Sequence, residues 1–420
     1  MNLLIKQATI VDSGNSLNGK TMDILIEKGI ITQIKKSITP EKGIKILEEE
    51  GLHVSIGWMD MQSNFCDPGY EQKETLQNGL KSVAKGGFTE VCVMSGTNPP
   101  LHNKAQIEYL KNRSKNNIVN VWPIGTISHQ QEGKDLAEMY DMKLSGAMAF
   151  SDYKKPIADA GLIYRALQYT HNIQSFIITH CDDKTISHGG QMNEGITSTR
   201  LGLKGIPTLA EEIMLQRNLQ ILEYTGGKLH IPTISTKGSV EIIKKAKAKK
   251  LNVSCGVAAY NLLLDDTAIE GFDTNYKVNP PLRSKEDVEA LRKAIADGII
   301  DVIVSDHNPQ DIESKDVEFD HANNGMIGLE SCFSVLHTAL HSKASLETMI
   351  DTITKNPRRI LGTNIPEIKE NTEANLTIFN PHTKYVFDKS HIVASNHNSG
   401  LIGKELKGKA IAIINQNNMS

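Results

Sequence analysis

Asp152, His180 and Asp306 could supply an oxygen, a nitrogen and a second oxygen donor to a divalent cation. Each stands just past a short run rich in apolar and β-branched residues: Ala147 to Ser151, Ser175 to Thr179, and Ile300 to Ser305. Such residues have commoner uses too. An Asp at a strand end often caps the next helix, and a lone His is often a hydrogen-bonded core residue, so these three alone support either role. Polar residues follow other runs of the same kind. They include Asp60-Met61-Gln62-Ser63-Asn64-Phe65-Cys66-Asp67-Pro68-Gly69, then Met94-Ser95-Gly96-Thr97-Asn98-Pro99, Thr233, and Ser305-Asp306-His307-Asn308-Pro309-Gln310.

The elements that would position these groups follow from periodicity. Eight β-rich runs are read: Ser55 to Met61, Thr89 to Met94, Val119 to Gly125, Ala147 to Ser151, Ser175 to Thr179, Lys228 to Ile234, Asn252 to Val257 and Ile300 to Ser305. Helical stretches fall between several of them, at Glu74 to Lys85, Ala210 to Tyr224, Ser239 to Lys249 and Lys285 to Asp297. This alternation predicts an α/β fold, a (β/α)8 TIM barrel whose active site lies at the C-terminal strand ends. Short strands also occur at both ends of the chain: Leu3 to Val11, Met22 to Glu27, Ile30 to Lys35, Ala374 to Phe379 and Lys409 to Ile414. Since termini often lie close together, these predict one small β-sandwich domain from residues 1–53 plus 365–420, with the barrel at 54–364.

Composition narrows the function classes. The 420 residues carry a formal net charge of −3, which gives no overall attraction to nucleic acid or to an anionic membrane surface. The lysine-rich stretch Lys244 to Lys250 reads as the solvated face of a barrel helix. No apolar run reaches the roughly 18 residues of a membrane helix, and the one after Met1 is too short for a signal peptide. Five dispersed cysteines, odd in number and without a CxxC pair, predict reduced thiols and a cytoplasmic protein.

The words around these residues resemble the dihydroorotase family of the amidohydrolase superfamily. The strand-one segment is similar to the family pattern Asp-x-His-x-His-x-Arg-x-Pro-Gly, with Asp60, Asp67, Pro68 and Gly69 in place. Further words follow in the family's order. They are Gly86-Gly87-Phe88-Thr89, Phe150-Ser151-Asp152, His180-Cys181-Asp182, Met192-Asn193-Glu194-Gly195, Lys277 to Arg283, Ser305-Asp306-His307, Gly328-Leu329-Glu330 and Asn356 to Gly362.

The resemblance implies one or two zinc ions and a metal-bound hydroxide that opens the cyclic amide of dihydroorotate. It also shows what this chain lacks. Gln62 and Asn64 stand at the two strand-one histidines, and Thr233 at the strand-six histidine. His230 matches a family histidine that is not a ligand. Asp152, His180 and Asp306 remain as a remnant metal set, with Asp306 as a vestigial general base. Zinc is accordingly expected to be weakly bound or absent, because neutral amides and hydroxyls are poor zinc donors. Cys66, Gly96 and Gln310 replace residues that hold the substrate carboxylate, Ala259-Tyr260-Asn261 replaces a Pro-His-His, and Asn279 is the substrate-binding residue that remains. Each lost charge-assisted hydrogen bond is worth roughly 1.5–3 kcal/mol.

The leading expectation is therefore a pseudo-dihydroorotase of pyrimidine biosynthesis, catalytically impaired. By resemblance it would be a homo-oligomer and a structural partner of aspartate transcarbamoylase. The alternative is an active zinc-dependent cyclic amidohydrolase, either dihydroorotase or a relative acting on another cyclic amide, with a reduced metal site. In that case Cys66 could serve as a thiolate ligand or nucleophile; otherwise it is a small half-buried filler. A third reading is small-molecule binding or sensing in the emptied pocket.

Overall fold

The computed structural model describes all residues, Met1–Ser420. Eight parallel strands form the barrel wall: Trp58–Ser63, Phe88–Val93, Asn120–Gly125, Ala149–Phe150, Ile177–Ile178, Leu229–Ile231, Val253–Ala258 and Val302–Val304. Each is hydrogen-bonded to the next, and a parallel bridge between Ser63 and His307 closes the ring. Buried Asp60 reinforces that closure. Its Oδ1 accepts the Ser305 N–H at 2.8 Å, and its Oδ2 accepts the hydroxyls of Ser63 and Ser305.

Side chains fill the barrel interior. Met59, Met61, Cys92, Met94, Ile124, Ala149, Ile178, Val302 and Val304 form one buried cluster, to which Ile360 and Leu361 of the helix Lys355–Leu361 are added. That helix is tied to the second strand by Arg358, which is fully buried and donates to Glu90 Oε1 at 2.6 Å. Glu90 also accepts the Trp122 indole N–H at 2.7 Å, so its charge is compensated and both oxygens are used.

The strands from the two ends of the chain join one nine-stranded sheet with its own buried core of 16 residues. Its first strand, Asn2–Ile10, buries Leu3 and Ile5 and then Ala8 and Ile10 in that core. A register shift between Ile5 and Ala8, with Gln7 at φ +49°, moves the inward set by one residue. The expected first barrel run, Ser55 to Met61, divides here. His53–Ile56 pairs with Leu376–Val386 in the terminal sheet, and the barrel strand starts at Trp58. Gly57 separates them, where a Cβ would lie 1.9 Å from Asn375 Oδ1 and 2.1 Å from Thr89 Oγ1. No helix is long and apolar enough to cross a membrane, and all five cysteines are free and buried.

Candidate functional site

The C-terminal ends of the barrel strands present the sequence-predicted residues in two separate arrangements. Asp306, just beyond the eighth strand, is the centre of the first. Its Oδ1 accepts the Gln62 amide from the first strand. Its Oδ2 accepts the Lys154 ammonium at 2.8 Å, from the loop after the fourth strand, and the Tyr260 hydroxyl, from the turn after the seventh. The same ammonium donates to the backbone carbonyl of Asn279. The Asp306 side chain is only 3% exposed, so this network replaces its water.

Asp152 belongs to the second arrangement. Its Oδ1 accepts the backbone N–H groups of Ile127 and Ser128 at 2.8 and 3.0 Å, and its Oδ2 accepts the Ser128 hydroxyl. Burial pushes its pKa up and outweighs these hydrogen bonds, which act in the opposite direction. Both carboxylate oxygens thus face the 127–133 loop, where Ser128 Oγ also accepts the Gly133 N–H. Asp152 therefore does not cap the next helix, Ala160–Asn172, which Asp159 caps, but orders this loop.

His180 lies close enough to the first arrangement for the Lys154 charge to act on it. It is buried, neither ring nitrogen has a hydrogen-bond partner, and burial pushes its pKa down to about 3, so the imidazole is neutral. Thr233 is buried with its hydroxyl unpartnered. Asn64 directs its amide at the Cys66 sulfur at 3.4 Å, leaving its buried oxygen without a partner.

Asp152 and Asp306 thus engage separate sets of protein donors. Nowhere in the chain do three His, Cys, Asp or Glu side chains group so as to hold a metal ion. Protein donors engage both oxygens of Asp152 and of Asp306, while Gln62, Asn64 and Thr233 bring no charge and no imidazole. The donor set does not fit a zinc centre.

Cys66 offers no replacement chemistry. Its thiol is buried and pushed up to about 12 by desolvation, far from the thiolate that a ligand or nucleophile requires. At the positions that the resemblance assigned to carboxylate binding, Gln310 accepts from Lys73 at 2.8 Å, and Gly96 lies against Tyr153 and Asn64. A Cβ at Gly96 would come within 2.8 Å of the Tyr153 ring and 2.9 Å of Asn64 Oδ1. Asn261 donates to Pro281 O at 3.3 Å.

Other family words hold the frame of the site. Arg283, buried, donates to Ser235 Oγ, Asn193 Oδ1 and Ile206 O and lies 3.7 Å from Glu211. It links the short strands Met192–Asn193 and Gly205–Ile206 to the end of the sixth barrel strand. His230 Nδ1 pairs with Ser254 Oγ at 2.8 Å, consistent with a structural histidine.

Sequence reasoning missed Lys154 and the role of Tyr260. The usable signal was electrostatic: a buried aspartate with neutral neighbours needs a cation, and Lys154 stands two residues beyond Asp152.

A family model described as dihydro-orotase-like matches residues 52–239. The dihydroorotase of Thermoanaerobacter sp. strain X514 is 41% identical over 411 residues, covering 97% of this chain and 94% of that protein. The dihydroorotase of Pelotomaculum thermopropionicum is 41% identical over 418 residues, covering 99% and 97%. Among solved structures, L-hydantoinase (dihydropyrimidinase) from Arthrobacter aurescens superposes with a TM-score of 0.86 at 20% identity, covering 100% of this chain and 95% of that one. D-hydantoinase from Thermus sp. gives 0.82 at 22%, covering 99% and 94%. At such identities the structural likeness carries the amidohydrolase barrel fold.

Proposed function

The chain belongs to the dihydroorotase-like family, and from that premise we propose that it is a dihydroorotase-type protein of pyrimidine biosynthesis that has given up zinc-dependent ring opening and serves as a protein subunit. One observation carries this reading. Asp306, the expected proton acceptor, is engaged on Oδ1 by Gln62 and on Oδ2 by Lys154 and Tyr260, so a substrate proton would have to compete with these protein donors for it. A base must be within hydrogen-bond reach of the proton it takes. The proposed assembly is a homo-oligomer associated with aspartate transcarbamoylase, the enzyme of the preceding step, as the resemblance implies.

The names of the relatives favour a second reading. Proteins 41% identical across nearly the whole chain are called dihydroorotase, which supports an active cyclic amidohydrolase that retains Asp152, His180, Asp306 and Asn279. The donor chemistry of the site weighs against it. Dihydroorotate hydrolysis and its reverse, assayed on the purified chain with added zinc and compared with Asp306→Ala, separates the two. The proposal predicts no turnover above the buffer rate in either protein; turnover that disappears in Asp306→Ala establishes the enzyme.

A further inference from the structure

We propose that the Lys154 ammonium is the resident counter-cation of this site, supplying to Asp306 the positive charge that the related enzymes would draw from a metal. The inference rests on the metal-independent reading of the site and identifies the group responsible.

The geometry is specific. Lys154 Nζ lies 2.8 Å from Asp306 Oδ2, with the two side chains 16% and 3% exposed, and it is the one Lys, Arg or His that forms a salt bridge with Asp306. A second bond, to the Asn279 carbonyl, anchors the ammonium to the loop before the cis Asn279-Pro280 bond. A carboxylate this deeply buried is strongly disfavoured unless a cation and hydrogen-bond donors compensate it. Gln62 and Tyr260 supply neutral donors, so the charge itself is met by Lys154.

The backbone that delivers the lysine has an unusual conformation. Tyr153 has φ +55°, in the left-handed region that residues with a Cβ avoid, and Asp306 itself has φ +47°. The Tyr153 ring lies against Gly96, at a position where any larger side chain would collide with it. Lys154 sits 5.9 Å above the same ring. Tyr153 and Lys154 thus act as an internal occupant: the ring lies beside the former carboxylate-binding position and the ammonium beside the former base. The substitutions at Gln62, Gly96 and Tyr260 match that occupant, because each contacts Tyr153 or the carboxylate that Lys154 binds.

A double-mutant cycle on the full-length protein tests the assignment. Lys154→Met leaves Asp306 buried without a cation and is expected to lower Tm by about 3–6 °C. In Lys154→Met/Asp306→Asn the neutral amide needs no cation, so more than half of that loss should return. If Lys154→Met fails to fold, recovery of a folded protein in the double variant reports the same coupling. Additive losses, or a double variant as damaged as the single one, overturn the inference.

Chelator and zinc supply the second arm. The wild-type Tm should be unchanged by dialysis against EDTA and by equimolar zinc, and a rise with zinc that EDTA reverses also overturns it. Dihydroorotate turnover by the wild type would refute the functional proposal while leaving the cycle unaffected. Additivity in the cycle refutes the counter-cation whether or not the chain is catalytic.

Discussion

Asp306 is the residue on which the barrel mouth converges. Three donors from three different strand ends converge on a carboxylate whose own backbone is left-handed, so the conformation is held by the network around it. Removing one neutral donor, as in Tyr260→Phe, should lower the unfolding free energy by about 1.5–3 kcal/mol in denaturant titration, the range for a hydrogen bond to a charged group. Protonation gives a second prediction at this scale. Burial pushes His230 down to about 3, whereas in the unfolded chain it titrates near the ordinary value of about 6.5. Between those values the unfolded state binds the proton and the folded state does not, so this contribution to stability is lost as pH falls from about 6.5 towards 3. Denaturation midpoints measured across that window should fall with pH, and less steeply in His230→Gln. In the sequence, Gln62, Asn64 and Thr233 stood out by position as departures from the resembled pattern. The convergence on Asp306 was not, because it joins residues 62, 154, 260 and 306 across the barrel mouth.

The elements themselves were more legible than their partners. All eight expected barrel runs contain or overlap an observed strand, since an apolar β-rich run bounded by turn residues marks a buried parallel strand. Paired lengths differ: the fourth and fifth strands are only Ala149–Phe150 and Ile177–Ile178, because hydrogen-bonded pairing stops before the apolar pattern does. Two arginines within the family words hold elements together. Arg358 joins the helix Lys355–Leu361 to the second strand through Glu90, and Arg283 fastens the 192–206 strands to the sixth. Arg358→Ala leaves Glu90 buried without its charge partner and should cost about 3–5 kcal/mol in equilibrium unfolding. A cost below about 1 kcal/mol would mean that the pair is not an anchor.

At the scale of the molecule, the terminal sheet and the barrel share a core. Trp58, at the start of the first barrel strand, lies 4.7 Å from the Phe333 ring and 5.4 Å from that of Phe379, which belongs to the terminal sheet. Thr377 Oγ1 accepts the Trp58 N–H and donates to the Gly87 carbonyl, crossing the same boundary. Trp58→Ala should therefore destabilise the protein by about 3–5 kcal/mol and shift a single unfolding transition without splitting it. This junction sits at the start of the first barrel strand, whereas Gln62, Lys154, Tyr260 and Asp306 meet at the C-terminal strand ends, so the frame has contacts separate from those of the barrel mouth. The most direct test of that separation is the zinc content of the wild-type protein, purified from zinc-supplemented cells and dialysed before elemental analysis. The account predicts a folded protein with zinc far below one equivalent. One or two retained equivalents that disappear in Asp306→Ala would contradict it.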